Sequence, residues 1–382
     1  MSTWYGLAIG SLGALHPLLA SSLHREGLDD ATVALLLMAF PLGVLIAGPV
    51  FGAIADRSGK LAALLRTTAV GAGIAAVALA ASHGPLAVAL SLGALALLRA
   101  PLFPLVDALV VDLLGSQQRD YGKIRAWGSV AFIVMVQVAG AWIHETAAAP
   151  RILAGLCLAG CGVLVFLLPA PPPDAAAALR VRFDQAGQLG LGGLWLLATL
   201  IGLSTAMYDF LFVVHFESLG GSPRLAAAAI GVGVALEVAI MATSAWWLGR
   251  LGPQRTILFA AVAGALRWTV TAWATEPWLA ASIQVLHGVS FGAFWVAAIA
   301  LVAERAPPLR RAGATGALLA TSAGLGPLLA MAAASQLLPR FGSRSLFVVA
   351  AAIACVAAML VRPILTDRQP RGVGIDRRDV ER

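Results

Sequence analysis

The sequence predicts an all-α integral membrane protein, with twelve transmembrane helices in two pseudo-symmetric six-helix bundles. Three observations carry that expectation. Of 382 residues, 60% are hydrophobic and only 12% are charged; a soluble domain of this length could not bury so much apolar surface, which leaves lipid as the solvent. The apolar residues fall into twelve runs, and a spanning helix needs roughly 20 such residues. The turn after the second run, ADRSGK, is echoed after the eighth by LGRLGPQR, with Arg57-x-Gly59 and Arg250-x-Gly252 separated by 193 positions, about half the chain. A repeat of that period implies two six-helix halves related by an axis along the membrane normal.

The elements follow in order. The run at 4–23 has no basic segment ahead of it and no evident cleavage site behind it, so it is read as the first span and not a signal peptide. The second, 31–54, follows HREGLDD, and the third, 62–82, lies between ADRSGK and ASHGP. The fourth, 86–114, contains Arg99, Pro101 and Pro104; the fifth, 122–143, opens with YGKIRAWGS; the sixth covers 151–169. The stretch APPPDAAAALRVRFDQAGQ reads as a linker along the membrane surface. The second half repeats the scheme at 190–216, 226–248, 255–275, 278–303, 312–337 and 343–363. The expected domains are therefore an N-terminal bundle (1–170), a cytoplasmic linker (171–189), a C-terminal bundle (190–363) and a tail (364–382) too polar to pack.

The cations set the expected orientation. Arg25, Arg151, Arg224, Arg340 and Arg344 fall on one side, and Arg99, Arg125 and Arg267 fall within spans. The rest of the 26 Lys and Arg residues, Arg57, Lys60, Lys123, Arg250, Arg310 and Arg311 among them, gather on the side of the termini. The positive-inside rule then places both termini in the cytoplasm of a bacterial inner (plasma) membrane. The formal charge of +7 is not clustered, which argues against a nucleic-acid partner. Cys157, Cys161 and Cys355 all lie in apolar runs and read as small buried hydrophobes, not disulfides or metal ligands. No P-loop, zinc-ligand spacing or nucleophile elbow appears, so the expectation is no metal, no cofactor and no enzyme activity.

Charges inside the spans are the candidate site. By residue count, Glu237 lies near the centre of the eighth run, Arg267 near the centre of the ninth and His287 about a third of the way into the tenth. A lone charge at that depth costs at least a few kcal/mol, and a paired set facing a wet cavity reduces the cost. His16 and His215 read as packing or interfacial histidines, and Trp246-Trp247 as an interfacial belt beside Arg250. Arg99 is left open between orienting helix packing and binding substrate.

Gly52-Ala-Ile-Ala-Asp56-Arg57-Ser-Gly59-Lys60 resembles the major facilitator superfamily signature G-x-x-x-D-R-x-G-R/K between the second and third helices. In that family the segment latches one conformation, a role the resemblance gives to Gly52, Asp56, Arg57, Gly59 and Lys60. YGKIRAWGSVAF and QVLHGVSFGAFWVAAIA are similar to the lactose-permease and phenylpropionate-permease branch, the second stretch more to the latter. In the lactose permease a helix-4 carboxylate and a helix-5 arginine eighteen residues later grip the substrate, as Asp107 and Arg125 are spaced here. The same resemblance assigns Arg267 and His287 to substrate, and Glu237, His287 and Asp209 to a coupling proton. Ser290 and Gln284 stand where that family has an acid and a lysine, and Phe132 stands where it has a sugar-stacking tryptophan. An aromatic platform with two arginines suits an aromatic carboxylate.

The expected function is secondary active transport by alternating access: proton-coupled uptake of a small organic solute, with an aromatic carboxylate such as phenylpropionate favoured and a monomer in the lipid bilayer sufficient. The proton is the expected coupling ion. Sugar or nucleoside symport and efflux by proton antiport are the alternatives. The fifth run has no proline, where antiporters of the family carry a Gly-Pro-rich motif. A non-transporting receptor is the rival of another class, and the loops are short for one.

Overall fold

The computed structural model describes residues 1–115, 121–172 and 189–365, apart from the side chains of Asp56, Tyr121, Pro308 and Leu309. Most of the expected linker (171–189) and tail (364–382) therefore lie outside the described residues. Within them every regular element is helical. Eleven spans and one sharply bent pair appear: α1 (Ser2–Leu15 and Leu19–Arg25, bent by 47°), α2 (Asp30–Ala55), α3 (Leu61–Ala81), α4 (Pro85–Leu114), α5 (Lys123–Trp142), α6 (Ala149–Leu167), α7 (Gly192–Ser218), α8 (Pro223–Ala242), α9 (Pro253–Trp273), α10 (Pro277–Arg305), α11 (Arg310–Phe341) and α12 (Ser343–Leu365). An α-helix satisfies its backbone groups within its own segment inside lipid, which is why the apolar runs map so directly onto spans.

The repeated turn has a physical cause. The helix Ala39–Ser58, which continues α2 past Ala55, is capped by Gly59 at φ +61°, and the short helix after α8 (Ser244–Leu251) by Gly252 at φ +75°. Both positions use the left-handed region that glycine enters without a Cβ clash. The Arg-x-Gly repeat is a repeated helix stop. Gly52 is buried, Arg57 and Lys60 are exposed, and the Asp56 side chain lies outside the described residues.

Several spans are broken. α1 turns at His16–Leu18, where Pro17 removes a backbone donor. α2 breaks at Met38, α4 at Ala100–Pro101, and α10 passes through a 3-10 turn (Ile283–Leu286) into a π-helical stretch (Gly288–Ala293). π segments are often found at functional sites.

The face of the bundle that carries Met1 and Leu365 is here the terminal face. There Arg305 ties three helix ends by donating to Gly190 O at 2.7 Å and Leu365 O at 3.1 Å. At the opposite face the halves are joined across the seam by Arg25 and Glu217, 2.6 Å apart at the ends of α1 and α7, and by Gln137 Nε2 of α5, which donates to Ala227 O of α8 at 3.0 Å. Nearer the terminal face, Lys123 and Arg125 on α5 are exposed.

One sequence expectation needs correction. Cys157 and Cys161 are buried, but Cys355 is exposed: an apolar run does not tell a lipid-facing position from an inward one. Arg151, counted on the side opposite the termini, is fully buried. Its guanidinium pairs with Glu26 and donates to Ser82 O at 3.0 Å, binding the ends of α1, α3 and α6. Glu26→Ala strands that cation, and breaking a buried pair costs about 3–5 kcal/mol. Thermal melting in detergent checks this, with the exposed Glu145→Ala expected to change stability by less than about 0.5 kcal/mol.

Candidate functional site

The N-terminal half holds its charges on three helices. Asp107 Oδ2 of α4 accepts from Arg125 NH1 of α5 at 3.0 Å. The Tyr5 hydroxyl of α1 donates to the other oxygen of the same carboxylate. Side-chain exposure is 29% for Asp107 and 48% for Arg125, so the pair is open to a ligand. Phe132 lies two helical turns beyond Arg125 on the same face of α5; it is half-buried, and its backbone passes close to Gly13 of α1.

In the C-terminal half, His287 Nε2 of α10 lies 3.0 Å from Glu237 Oε2 of α8. Backbone contact makes this pairing possible. A Cβ on Gly288 would sit 2.8 Å from Glu237 N and Leu236 O, and one on Gly292 would sit 2.9 Å from Glu237 Cγ. Gly288-x-x-x-Gly292 is thus a groove of missing side chains in which α8 lies, the close packing that small residues permit between membrane helices. The spacing was readable in the sequence as a helix-contact signal; its consequence, a titratable pair at hydrogen-bond distance, was not.

Arg267 of α9 is enclosed, with 0% exposure. Its Nε donates to Gln284 Oε1 at 2.7 Å and its NH1 to Ser290 Oγ at 3.2 Å. Its guanidinium carbon lies 4.0 Å from the Tyr208 ring centroid and 4.3 Å from that of Trp268. The two positions that depart from the lactose-permease pattern, Gln284 and Ser290, are therefore the partners of this arginine. Arg267 NH2, Tyr208 Oη and His287 Nδ1 are buried without a hydrogen-bond partner. Asp209 is half-buried, and Arg267 and Glu237 both act on it electrostatically; among the described residues it makes no hydrogen bond or ion pair.

The structure thus brings together Asp107 with Arg125, and Glu237 with His287. Arg267 bonds Gln284 and Ser290 instead of the latter pair, on which it acts electrostatically. Tyr5 is the participant sequence reasoning missed, and no local pattern marks it. His215 is structural: it bonds Ser343 Oγ at 2.9 Å and Thr271 O at 3.1 Å. Trp246 lies under Arg250, 4.4 Å from the guanidinium carbon.

Gly288→Ala drives a methyl group into the α8 backbone. Overpacking of this kind costs about 1–3 kcal/mol, so a lowered melting temperature is expected. Gly93→Ala, whose added Cβ meets nothing within 4 Å, is the control and should be neutral or slightly stabilising. Equal melting temperatures for the two variants would contradict the close α8–α10 approach.

Comparison with known proteins places these features. The model of the MFS_1 like family matches residues 1–349. The chain is 30% identical over 379 residues to the maltose permease of Geobacillus stearothermophilus, covering 96% of this chain and 94% of that protein. It is 30% identical over 309 residues to the probable 3-phenylpropionic acid transporter of Escherichia coli (strain K12), covering 77% and 79%. The crystal structure of the nucleoside transporter NupG superposes with a TM-score of 0.82 at 16% identity, covering 96% of this chain and 98% of that one. Family, relatives and fold agree with the two-bundle architecture and with solute movement rather than enzyme chemistry: the chain belongs to the MFS_1 like family of major facilitator transporters and is an integral membrane transporter of small solutes.

Proposed function

We propose that this transporter is a proton-coupled importer of a small organic solute, with an aromatic carboxylate such as phenylpropionate favoured. It works as a monomer in the bacterial inner (plasma) membrane, with the terminal face in the cytoplasm. The observation that carries the reading is the Glu237–His287 contact at 3.0 Å in one half, set beside a solvent-open Asp107–Arg125 pair in the other.

The chemistry of the C-terminal pair suits a proton site. With Glu237 ionised, His287 donates its Nε2 proton to the carboxylate. With Glu237 protonated, the carboxyl O–H donates to an unprotonated Nε2. Either state keeps the contact, so the proton is held or released without remaking the helix packing. In this reading Glu237 takes a proton from the outer side. Solute then bridges the Asp107–Arg125 pair, beside Phe132, and the C-terminal group, drawing the halves together. Release inward lets Glu237 lose its proton to the cytoplasm. Arg267 and Asp209 set the field around the pair, and the exposed Arg57–Lys60 turn, with Asp56, latches the cytoplasmic ends. Closure at the opposite face by Arg25–Glu217 and Gln137–Ala227 fits the state that opens to the cytoplasm.

Sugar symport is the second reading, favoured by the 30% identity with a maltose permease over nearly the whole chain. Both readings give Glu237 the same role, which a single variant tests. In proteoliposomes Glu237→Gln is expected to abolish uptake against a gradient and to spare exchange of labelled for unlabelled solute across the membrane. Accumulation that survives the substitution would remove Glu237 from coupling.

A further inference from the structure

Among the arginines within the spans, Arg99, Arg125 and Arg267 differ in their surroundings. Arg125 is neutralised by Asp107 at 3.0 Å. Arg267 is sealed at 0% exposure with Asp209 and Glu237 acting on it. Arg99 is only half-buried, and among the described residues it forms no ion pair with a carboxylate. Its polar partner is a ring nitrogen: Arg99 NH2 lies 3.3 Å from His16 Nε2. A guanidinium has donors only, so Nε2 must accept and the imidazole is neutral in this arrangement. The cation is held in place without being neutralised.

The backbone around Arg99 is as unusual as its charge. Arg99 ends the first segment of α4, just before the break at Ala100–Pro101. His16 sits in the break of α1, and Phe40 lies two residues past the Met38 break of α2. Three interrupted helices of one half therefore converge on one group. Non-helical backbone at membrane depth is tolerated where it is buried in protein or lines a cavity, and interrupted helices form solute sites in transporters.

The walls are aromatic and come from both halves. His16 packs against Phe40 with ring centroids 4.2 Å apart and planes tilted by 53°, and reaches Phe210 of α7 at 5.4 Å. Phe40 and Phe210 stack across the seam at 5.8 Å with planes 16° apart. The Arg99 guanidinium carbon lies 5.8 Å from the Phe40 ring centroid. Phe210 directly follows Asp209 on α7.

We propose that Arg99, held by His16 and walled by Phe40 and Phe210, is an anion subsite that takes the carboxylate of the transported solute. The proposal deepens the carboxylate reading of the function and rests on it. It moves the solute's charge from Arg125, already neutralised, to the half-buried intramembrane arginine that lacks a counter-ion. A carboxylate there receives charge-assisted hydrogen bonds that the imidazole now accepts alone. Because the Phe40–Phe210 stack spans the seam, a solute seated at Arg99 touches both halves, which is what a substrate must do to bias one conformation over another.

The test measures binding of 3-phenylpropionate, butyrate and their uncharged amides to the purified full chain in nanodiscs, for wild type, Arg99→Gln, Arg99→Lys and His16→Phe. The expected result is a preference of wild type for carboxylate over amide. Arg99→Gln loses it by about tenfold or more, the size of a hydrogen bond to a charged group, whereas Arg99→Lys retains most of it. His16→Phe, which frees the cation of its acceptor, tightens carboxylate binding and answers the question even if Arg99→Gln does not fold. A preference that survives in Arg99→Gln, or for want of a folded Arg99→Gln a His16→Phe variant that binds carboxylate as wild type does, overturns the subsite and leaves the carboxylate reading standing. A preference for butyrate over 3-phenylpropionate that depends on Arg99 supports the subsite and overturns the aromatic part of that reading. Equal binding of carboxylate and amide by wild type, or binding of neither alongside binding of maltose or uridine, overturns both; Glu237-dependent uptake of that uncharged solute would keep proton symport.

Discussion

Inside a bilayer no water compensates a charge, so each ionised side chain in the bundle must be answered by protein or by cargo. That constraint organises this molecule. Arg151 is answered by Glu26 and the Ser82 carbonyl at the opposite face. Asp107 is answered by Arg125 and Tyr5, and Glu237 by His287. Arg267 is enclosed by two side-chain acceptors and two aromatic faces. The groups left half-open, Asp107–Arg125 and Arg99, lie where solute passes in the proposed cycle.

The same constraint links helix packing to chemistry. Helices in lipid gain little from hydrophobic burial against one another and associate through close contact and polar bonds. Gly288 and Gly292 allow α10 to touch the α8 backbone, and that contact, not the side chains alone, sets the Glu237–His287 distance. In the proposed cycle a pair fixed within one bundle keeps its geometry while the bundles rock. Arg25–Glu217, Gln137–Ala227 and the Phe40–Phe210 stack cross the seam and must part for the opposite face to open. Charge handling is thus assigned to rigid units and gating to the contacts between them.

Much of this was legible in the sequence, for a physical reason. Spans are fixed by the thickness of a bilayer, so apolar run lengths located all twelve, and the second Arg-x-Gly helix stop marked the repeat. Asp107 and Arg125 could be paired because their eighteen-residue spacing resembles that of the lactose permease's helix-4 carboxylate and helix-5 arginine. What the sequence hid depends on rotation about helix axes and on contacts between distant helices. Hydropathy does not say which way Cys355 points, and nothing near Tyr5 announces a bond to a carboxylate 102 residues away. Gln284 and Ser290 read as losses from a family pattern, yet together they hold Arg267. His16 read as packing, and its place in a helix break opposite Arg99 emerged only once α1, α2 and α4 were seen to be interrupted at the same place.

The central claim is that solute and proton move together through this scaffold, and external pH recorded from de-energised cells expressing the protein tests it most directly. Pulses of aromatic carboxylate, then sugar, then nucleoside, are added to wild type and to the Glu237→Gln variant. The account predicts a transient alkalinisation with one solute class, aromatic carboxylates first, that is absent in the variant. A flat trace for every class while labelled solute still enters, or an alkalinisation that persists in the variant, would contradict it.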